Sequence, residues 1–156
     1  DHIKPSVQQL GTLDLWQIAM KPGKPFAFGS VRHAVGTGAL AGQPCHFMGL
    51  PGNPVSSFVT FLLLVRPFLL SLQGAAAPPW RPVMVPAHFE LLRADKRREF
   101  VRVRRNGSGG LDLFPNQSSG VLTSAVWGDG LVDNPASHTV ARGDLVPYLA
   151  FSDLLE

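Results

Sequence analysis

The segment "MGLPGNPVSSF" (48–58) imposes a sharp change of direction on the chain. It places two prolines, two glycines and one asparagine between two apolar stretches. Asn53 is a favoured residue immediately before a helix, and Pro54 suits the first helical position because its missing N–H needs no partner there. We therefore predict a strand before this corner and a helix from about 54 to 73 after it, with Gly74 as the C-terminal cap.

The residues before the corner have the pattern of alternating helix and strand. Apolar residues at 3, 7 and 10 share one helical face, and Gly11 is a plausible end to that helix. Together with the helix after the corner, this order favours the C-terminal part of an α/β domain. The predicted elements are a helix at 3–10, strands at 14–20, 26–31 and 44–50, and a hairpin or loop at 36–43.

The pattern changes after "GAAAPPWRP" (74–82), which has three prolines and no periodicity and is predicted to be a linker. Beyond it, short segments that often alternate are bounded by Gly, Pro, Asn or Asp, which favours a small all-β barrel or sandwich. We therefore expect an α/β part followed by an all-β part, with domains at 1–75 and 76–156.

Composition favours a folded protein and excludes several classes. Hydrophobic residues make up 45% and charged residues 16% of the 156, and the net charge is +3. With Cys45 as the one cysteine, we expect no internal disulfide, no cysteine-based metal site and a reducing compartment. We expect no signal peptide, and we interpret the apolar run 61–72, which Arg66 and Pro67 interrupt, as a buried helix rather than a membrane span.

Two motifs in the first half suit an anion. "KPGKP" (21–25) presents Lys21 and Lys24 on either side of a Pro-Gly turn, and Ser56 brings a hydroxyl into the first turn of the helix after the corner. Ammonium groups, hydroxyls and helix-start amides all bind oxyanions. Taken alone, each motif is more often a solvated turn or a capped helix, but the ends of neighbouring strands are where α/β sheets bind ligands.

Further polar residues allow more than one interpretation. "EFVRVRR" places Arg102 and Arg104 on one strand face, which is usually only solvated, and "NQSSG" (116–120) offers two hydroxyls in a turn. Asp1 could pair with the helix dipole or, near an anion, hold Mg²⁺. The five histidines have no metal-ligand spacing, so we predict no zinc site.

In combination these motifs resemble a known family. "DHIKPSVQQLG", "IAMKPGKPFAFG" and "GLPGNPVSSFVTFLLLVRPFLLSLQG", in this order, are similar to the MoeA and gephyrin E-domain family of molybdopterin molybdenumtransferases. "EFVRVRR" and "NQSSGVLTSAVWGDGLV" resemble the C-terminal β-barrel domain of that family. The resemblance covers essentially the whole chain, and the KPGKP and GLPGNPVS motifs are specific as a pair.

The resemblance implies a cytoplasmic, homodimeric enzyme of molybdenum cofactor synthesis. Such an enzyme inserts molybdate into adenylylated molybdopterin, with Mg²⁺-dependent hydrolysis of the adenylate. We expect no nucleic-acid or membrane partner, and an isolated piece need not be active. The residues that the resemblance implies are Asp1 for the nucleotide and metal region, Lys21 and Lys24 for catalysis and molybdate, and Pro51, Pro54, Ser56, Arg102 and Ser119 for the substrate, with Ser118 an alternative to Ser119.

Two other functions compete with the enzyme. Gephyrin-like relatives use this pair of domains as a non-catalytic dimeric scaffold or peptide-interaction module, which would need an exposed apolar patch. The basic run "KRREFVRVRR" suggests nucleic acid, but Phe100 is its one aromatic residue, so stacking on bases is poorly supported. The lysines of the KPGKP motif, Ser56 and Arg102 favour the enzyme, because a pure scaffold has no need of them.

Overall fold

A computed structural model of the protein describes residues 2–32, 42–76 and 79–156. Its first part contains helix α1 (Ile3–Leu10) and a three-stranded antiparallel sheet in the order β1-β3-β4. The strands are β1 (Gly11–Leu15), β3 (Ala27–Arg32) and β4 (Pro44–Gly49). The predicted helix and the second and third predicted strands are confirmed, while all but the last two residues of the predicted hairpin at 36–43 lie outside the described residues.

The strand predicted at 14–20 is displaced. β1 starts at Gly11, which pairs with Val31, and it ends at Leu15. Residues 16–19 belong to no strand, and the chain then forms the two-residue strand β2 (Met20–Lys21) in a different sheet. Gly11 starts the strand because its backbone lies against Ser30, where a β-carbon would come within 1.9 Å of the carbonyl oxygen.

The helix after the corner is confirmed and runs without a break from α2 (Pro54–Thr60), through a π-helical turn (Phe61–Val65), to α3 (Arg66–Leu72). Gly74, with φ of 74°, follows it in the left-handed conformation expected of a C-terminal glycine. By length and composition the helix could cross a bilayer, but Val55, Val59 and Leu62 are buried against the larger sheet. Phe68 packs edge-on against Phe28 of the smaller sheet, as expected for a core helix.

The larger sheet has six strands in the order β2-β6-β8-β9-β5, with β7 also paired to β6. Its remaining strands are β5 (Val83–Pro86), β6 (Arg98–Arg105), β7 (Leu111–Leu113), β8 (Gly130–Asn134) and β9 (Leu145–Ala150). β2 runs parallel to the start of β6, with Lys21 opposite Glu99. An isolated bridge joins Ala87, just after β5, to Leu111 of β7. The larger sheet therefore includes β2, from before the predicted linker.

Two short helices correct the expectation that strands alone make up the second half. "SGVLTSAVW", one of the short segments after the predicted linker, contains α4 (Thr123–Trp127), and α5 (Phe151–Leu155) follows β9. The turn before α4 closes locally because the Ser124 amide donates to the Val121 carbonyl at 3.0 Å. α5 packs on the long helix through an edge-on contact between Phe58 and Phe151.

Two buried clusters hold these elements together. One lies within the larger sheet and includes Val101, Val103 and Val132. The other joins the long helix to that sheet and includes Leu62 from the helix and Phe100 from β6. The strand face that carries the arginines is not uniformly solvated: Arg102 is 1% exposed, whereas Arg104 is exposed. Arg102 is covered because the loop at 117–119 and α4 lie over it.

Candidate anion-binding site

A cavity of about 270 Å³ opens where β2, the start of α2 and the loop at 117–119 meet. It brings together groups that are nearly 100 positions apart in the sequence. Five of the residues singled out from the sequence line it, together with four others. The lining residues are Lys21, Pro22, Gly23, Lys24, Ser56, Arg97, Gln117, Ser118 and Ser119.

Lys21 is held by two carboxylates at one wall of this cavity. Its Nζ lies 2.8 Å from Oε1 of Glu99 and 3.3 Å from Oδ2 of Asp95. The hydrogen bond to Glu99 raises the pKa of the Lys21 ammonium, which therefore stays charged at neutral pH. Pairing of β2 with β6 leaves the Lys21 side chain only partly exposed.

Asp95 links Lys21 to a second cation, Arg97. The Arg97 guanidinium binds Asp95 through both carboxylate oxygens, with Nε and Nη2 each at 3.0 Å, and the Arg97 amide donates at 2.9 Å. These hydrogen bonds hold the pKa of Asp95 well below its ordinary value. Arg97 lines the cavity as a guanidinium held in place by Asp95, and the N–H groups that do not bind Asp95 can donate to an oxyanion.

Lys24 is the adjustable member of the set. It is exposed, lines the cavity and, within the described residues, forms no ion pair with a carboxylate. Between the two lysines, buried Gly23 has φ of 153°, and a β-carbon there would meet the methyl of Met20 at 2.8 Å and that of Thr60 at 3.2 Å. The glycine therefore lets the turn pack closely against α2.

The corner at 51–54 positions Ser56 rather than exposing a row of free amides. Ser56 is 2% exposed, lines the cavity, and has no hydrogen bond from its hydroxyl to any residue in the described ranges. The Val55 amide already donates to the Ser119 carbonyl at 3.2 Å, and the Asn53 side chain makes no capping hydrogen bond. The expectation that the helix-start amides face an anion is therefore wrong at Val55, since the loop at 117–119 uses that donor.

Pro51 and Pro54 lie beside the cavity rather than on its lining. Pro51 is buried, and its carbonyl accepts a hydrogen bond from the Ser57 hydroxyl. Pro54 is the exposed first residue of α2. Both shape the turn that brings Ser56 to the cavity.

Arg102 lies directly behind the loop that forms another wall. Its Nε donates to the Ser124 hydroxyl at 3.1 Å and its Nη2 to the Ser118 carbonyl at 3.3 Å. Burial lowers the pKa of Arg102 to about 10, so the side chain remains charged at neutral pH. Within the described residues no carboxylate forms an ion pair with it, which leaves a buried positive charge next to the cavity.

Gln117 fixes the loop to β6. Its side-chain oxygen accepts from the Arg102 amide at 3.0 Å, and its side-chain nitrogen donates to the carbonyls of Arg102 and Phe114 at 3.0 and 2.9 Å. Ser118 and Ser119 therefore lie at a defined place at the edge of the cavity. Both serines line it, so each of the two alternatives, Ser118 and Ser119, lies where it can contact an anion.

The chemistry of the cavity favours an anion. Lys21, Lys24 and Arg97 line it, and no carboxylate is among the lining residues in the described part of the chain. Asp95 and Glu99 stand behind the cations and are already paired with them. Hydroxyls of the lining serines add uncharged donors, a combination suited to a small oxyanion.

The residues present do not fit a Mg²⁺ site at this cavity. Among the described residues there is no group of three or more His, Cys, Asp or Glu side chains that could hold a metal ion. Asp95 and Glu99, the carboxylates that contact the cavity cations, are already occupied by Lys21 and Arg97. Asp1, the predicted metal ligand, lies outside the described residues.

Sequence reasoning missed Arg97, Gln117 and the two carboxylates. The first of these lies in the basic run "DKRREF", where any of three adjacent cations could have been chosen. The pairing of β2 with β6 decides which charged side chains meet, because it sets Lys21 opposite Glu99. Gln117 adjoins the two serines in the sequence. A glutamine in a turn gives no signal that its side chain bonds both the amide and the carbonyl of Arg102 in a distant strand.

Comparison with known proteins places this arrangement in a family. Residues 84–151 match the MoeA C-terminal region (domain IV). A molybdopterin molybdenumtransferase from Haemophilus influenzae is 32% identical over 166 aligned positions, covering 99% of this chain and 37% of the relative. The molybdenum cofactor synthesis protein cinnamon of Drosophila melanogaster is 33% identical, covering 77% of this chain and 19% of that protein.

A solved structure agrees with the sequence relationship. The crystal structure of a molybdopterin biosynthesis MoeA protein from Pyrococcus horikoshii superposes with a TM-score of 0.69 at 28% identity, covering 95% of this chain and 34% of that one. The fold and the sequence together relate this chain to molybdenum cofactor biosynthesis proteins. The chain belongs to the MoeA family and is a homologue of molybdopterin molybdenumtransferases. It spans about a third of the length of the Haemophilus relative.

Proposed function

We propose that this chain forms the molybdate-binding part of a molybdopterin molybdenumtransferase. The observation that carries the proposal is the cavity itself, in which Lys21, Lys24 and Arg97 converge with the hydroxyl of Ser56. Molybdate is a tetrahedral dianion, so cations from two sides and uncharged donors between them can bind it without any metal ligand.

Some of these residues are proposed to contact the anion, and the others hold the contacting residues in place. Lys21, Lys24, Arg97 and Ser56 bind the oxyanion, and Ser118 and Ser119 close the cavity from the loop. Arg102 holds that loop through Ser118 and adds a buried positive charge behind it. Pro51 and Pro54 set the turn that presents Ser56.

In the reaction proposed for the full-length protein, molybdate bound here is transferred to adenylylated molybdopterin as the adenylate is hydrolysed. Lys21 and Lys24 neutralise charge on the oxyanion, which makes its approach to the anionic pterin dithiolene less unfavourable. Mg²⁺ is proposed with Asp1 as its protein ligand, and the cavity residues take no part in holding it. The protein is proposed to act as a cytoplasmic homodimer.

The proposal extends to domain organisation. Residues 1–75 are proposed as the C-terminal portion of the molybdopterin-binding α/β domain and 76–156 as a β-barrel domain. The bridge between Ala87 and Leu111, which joins the segment after β5 to β7, supports closure of the larger sheet into a barrel. In that arrangement β2 is a strand that the first domain contributes to the second.

The deciding experiment is AMP release from adenylylated molybdopterin by the full-length protein, with Mg²⁺, in the presence and absence of molybdate. Release that depends on molybdate is expected. A folded protein that binds the adenylylated pterin but releases no AMP with molybdate would contradict the transferase and favour the scaffold or peptide-interaction module. Sulfate in place of molybdate serves as the control for a general effect of anions.

A further inference from the structure

The two lysines of the KPGKP motif occupy different electrostatic settings. Lys21 is clamped between Glu99 at 2.8 Å and Asp95 at 3.3 Å, whereas exposed Lys24 has no ion-pair partner among the described residues. A cation fixed before the ligand arrives loses little side-chain freedom on binding. A free lysine can move to meet the ligand but loses that freedom when it does.

The carboxylates that clamp Lys21 are themselves firmly placed. Glu99 is 7% exposed within β6 and lies opposite Lys21 in the strand register. Asp95 is fixed at its side chain by the bidentate hydrogen bonds of Arg97 and at its backbone by the Ser137 amide, which donates to its carbonyl at 2.7 Å. Ser137 has φ of 59°, a conformation that residues other than glycine seldom adopt, so this loop is held in a demanding shape to reach Asp95.

These contacts form a continuous support behind the cavity. Glu99 holds Lys21, Asp95 holds Lys21 and Arg97, and neither carboxylate lines the cavity. Carboxylates beside an anion site weaken it through repulsion. Their presence is therefore explained best by what they do to the geometry of the cations rather than by the charge that they add.

We propose that Glu99 and Asp95 are positioning residues that fix the Lys21 ammonium and the Arg97 guanidinium at the cavity wall, leaving Lys24 as the adjustable cation. This inference rests on the proposed function for the identity of the anion. In this proposal the two fixed cations, Lys21 and Arg97, discriminate between anions, and the mobile cation, Lys24, captures the anion.

A charge-conserving substitution separates position from charge. Glu99→Asp keeps the carboxylate but withdraws it by one methylene, so that it no longer reaches Nζ of Lys21 from β6. We expect the dissociation constant for molybdate, measured by calorimetry on the full-length protein, to rise about fivefold, as loss of a partly exposed ion pair allows. Glu90→Asp, at an exposed position away from the cavity, is the matched control.

A second measurement reports on Lys21 directly. An amine-acylating ester is applied to each variant, and mass spectrometry of the peptides yields the ratio of Lys21 to Lys24 labelling within one sample. Wild type is expected to label Lys21 more slowly than Lys24, and Glu99→Asp to raise the ratio several-fold. A merely structural role for Glu99 would change both lysines alike and leave the ratio unchanged.

The outcomes separate this inference from the proposed function. If Glu99→Asp leaves both the labelling ratio and the molybdate affinity unchanged, or binds molybdate more tightly, the positioning role is overturned. Glu99→Gln keeps the side-chain length and an acceptor oxygen, so it is expected to bind molybdate at least as tightly as wild type. A loss of molybdate affinity equal to that of Glu99→Asp would contradict the positioning role of Glu99. If wild type binds no molybdate, the proposed function fails, while the labelling ratio still tests the positioning role.

Discussion

The backbone amide of Val55 donates a hydrogen bond to the carbonyl of Ser119, with nitrogen and oxygen 3.2 Å apart. This bond ties the first turn of α2 to the loop at 117–119, which the sequence places more than 60 residues later. It joins the two walls of the cavity and consumes a helix-start donor that would otherwise face an anion. The corner thus contributes to the site mainly by fixing Ser56 and the loop relative to each other.

Lys24→Ala is expected to raise the half-saturating molybdate concentration for AMP release about tenfold, since a charge-assisted contact is lost. The fold is expected to stay intact because Lys24 is exposed. The measurement is AMP release against molybdate concentration, with the thermal unfolding midpoint recorded for each variant. Lys96→Ala, at an exposed lysine that does not line the cavity, is the control; equal molybdate dependence in both variants would remove Lys24 from the site.

Arg102→Lys is expected to weaken molybdate binding roughly tenfold although the charge is conserved. A lysine cannot reproduce the two divergent hydrogen bonds to Ser124 and Ser118, so the loop loses its fixed position. Binding is measured by calorimetry, with Arg104→Lys, at an exposed position of the same strand, as control. Wild-type affinity in Arg102→Lys would show that the loop needs only the charge and not the guanidinium geometry.

Asp95 is expected to make stability depend on acid pH. Its pKa is lowered in the folded state from an ordinary value of 3.8, so its contribution is present above that pH and is lost as the pH falls below it. Urea unfolding of wild type and Asp95→Asn between pH 3 and 7 measures this. The difference between their free energies of unfolding should shrink below about pH 4. Glu90→Gln, at an exposed position, is the control. The ion-pair role of Asp95 would be contradicted if the difference in free energy of unfolding between wild type and Asp95→Asn stayed constant down to pH 3. It would also be contradicted if that difference equalled the one between wild type and Glu90→Gln.

Leu62→Ala is expected to destabilise the fold by about 3 kcal/mol. Leu62 is 1% exposed and belongs to the cluster that fastens the long helix to the larger sheet, so its truncation leaves a cavity there. Leu69→Ala, at a position 44% exposed on the same helix, is the matched control and should cost well under half as much. Urea denaturation measures both, and similar losses would mean that the helix is not anchored through its Leu62 face.

Much of the local structure could be predicted from residue patterns alone. The helix after the corner begins at Pro54 and is followed by Gly74 because proline suits a first turn and glycine accepts the left-handed conformation. The strand at 14–20 was misplaced because pairing with β3, which local pattern does not encode, decides where β1 begins. α4 was missed because five residues are too few to show a helical period.

Residue identity alone sets which chemical groups a site can use: the lysines of KPGKP, the serine after the corner, and the arginines and serines of the second half. Which of these groups meet, and whether they are buried or paired, depends on how the chain folds. Pairing of β2 with β6 sets Lys21 against Glu99, and the loop over β6 buries Arg102 while Arg104 stays in solvent. The physical reason is that side-chain charge and hydrogen-bonding capacity belong to the residue, whereas burial, ion pairing and pKa depend on contacts between segments far apart in the chain.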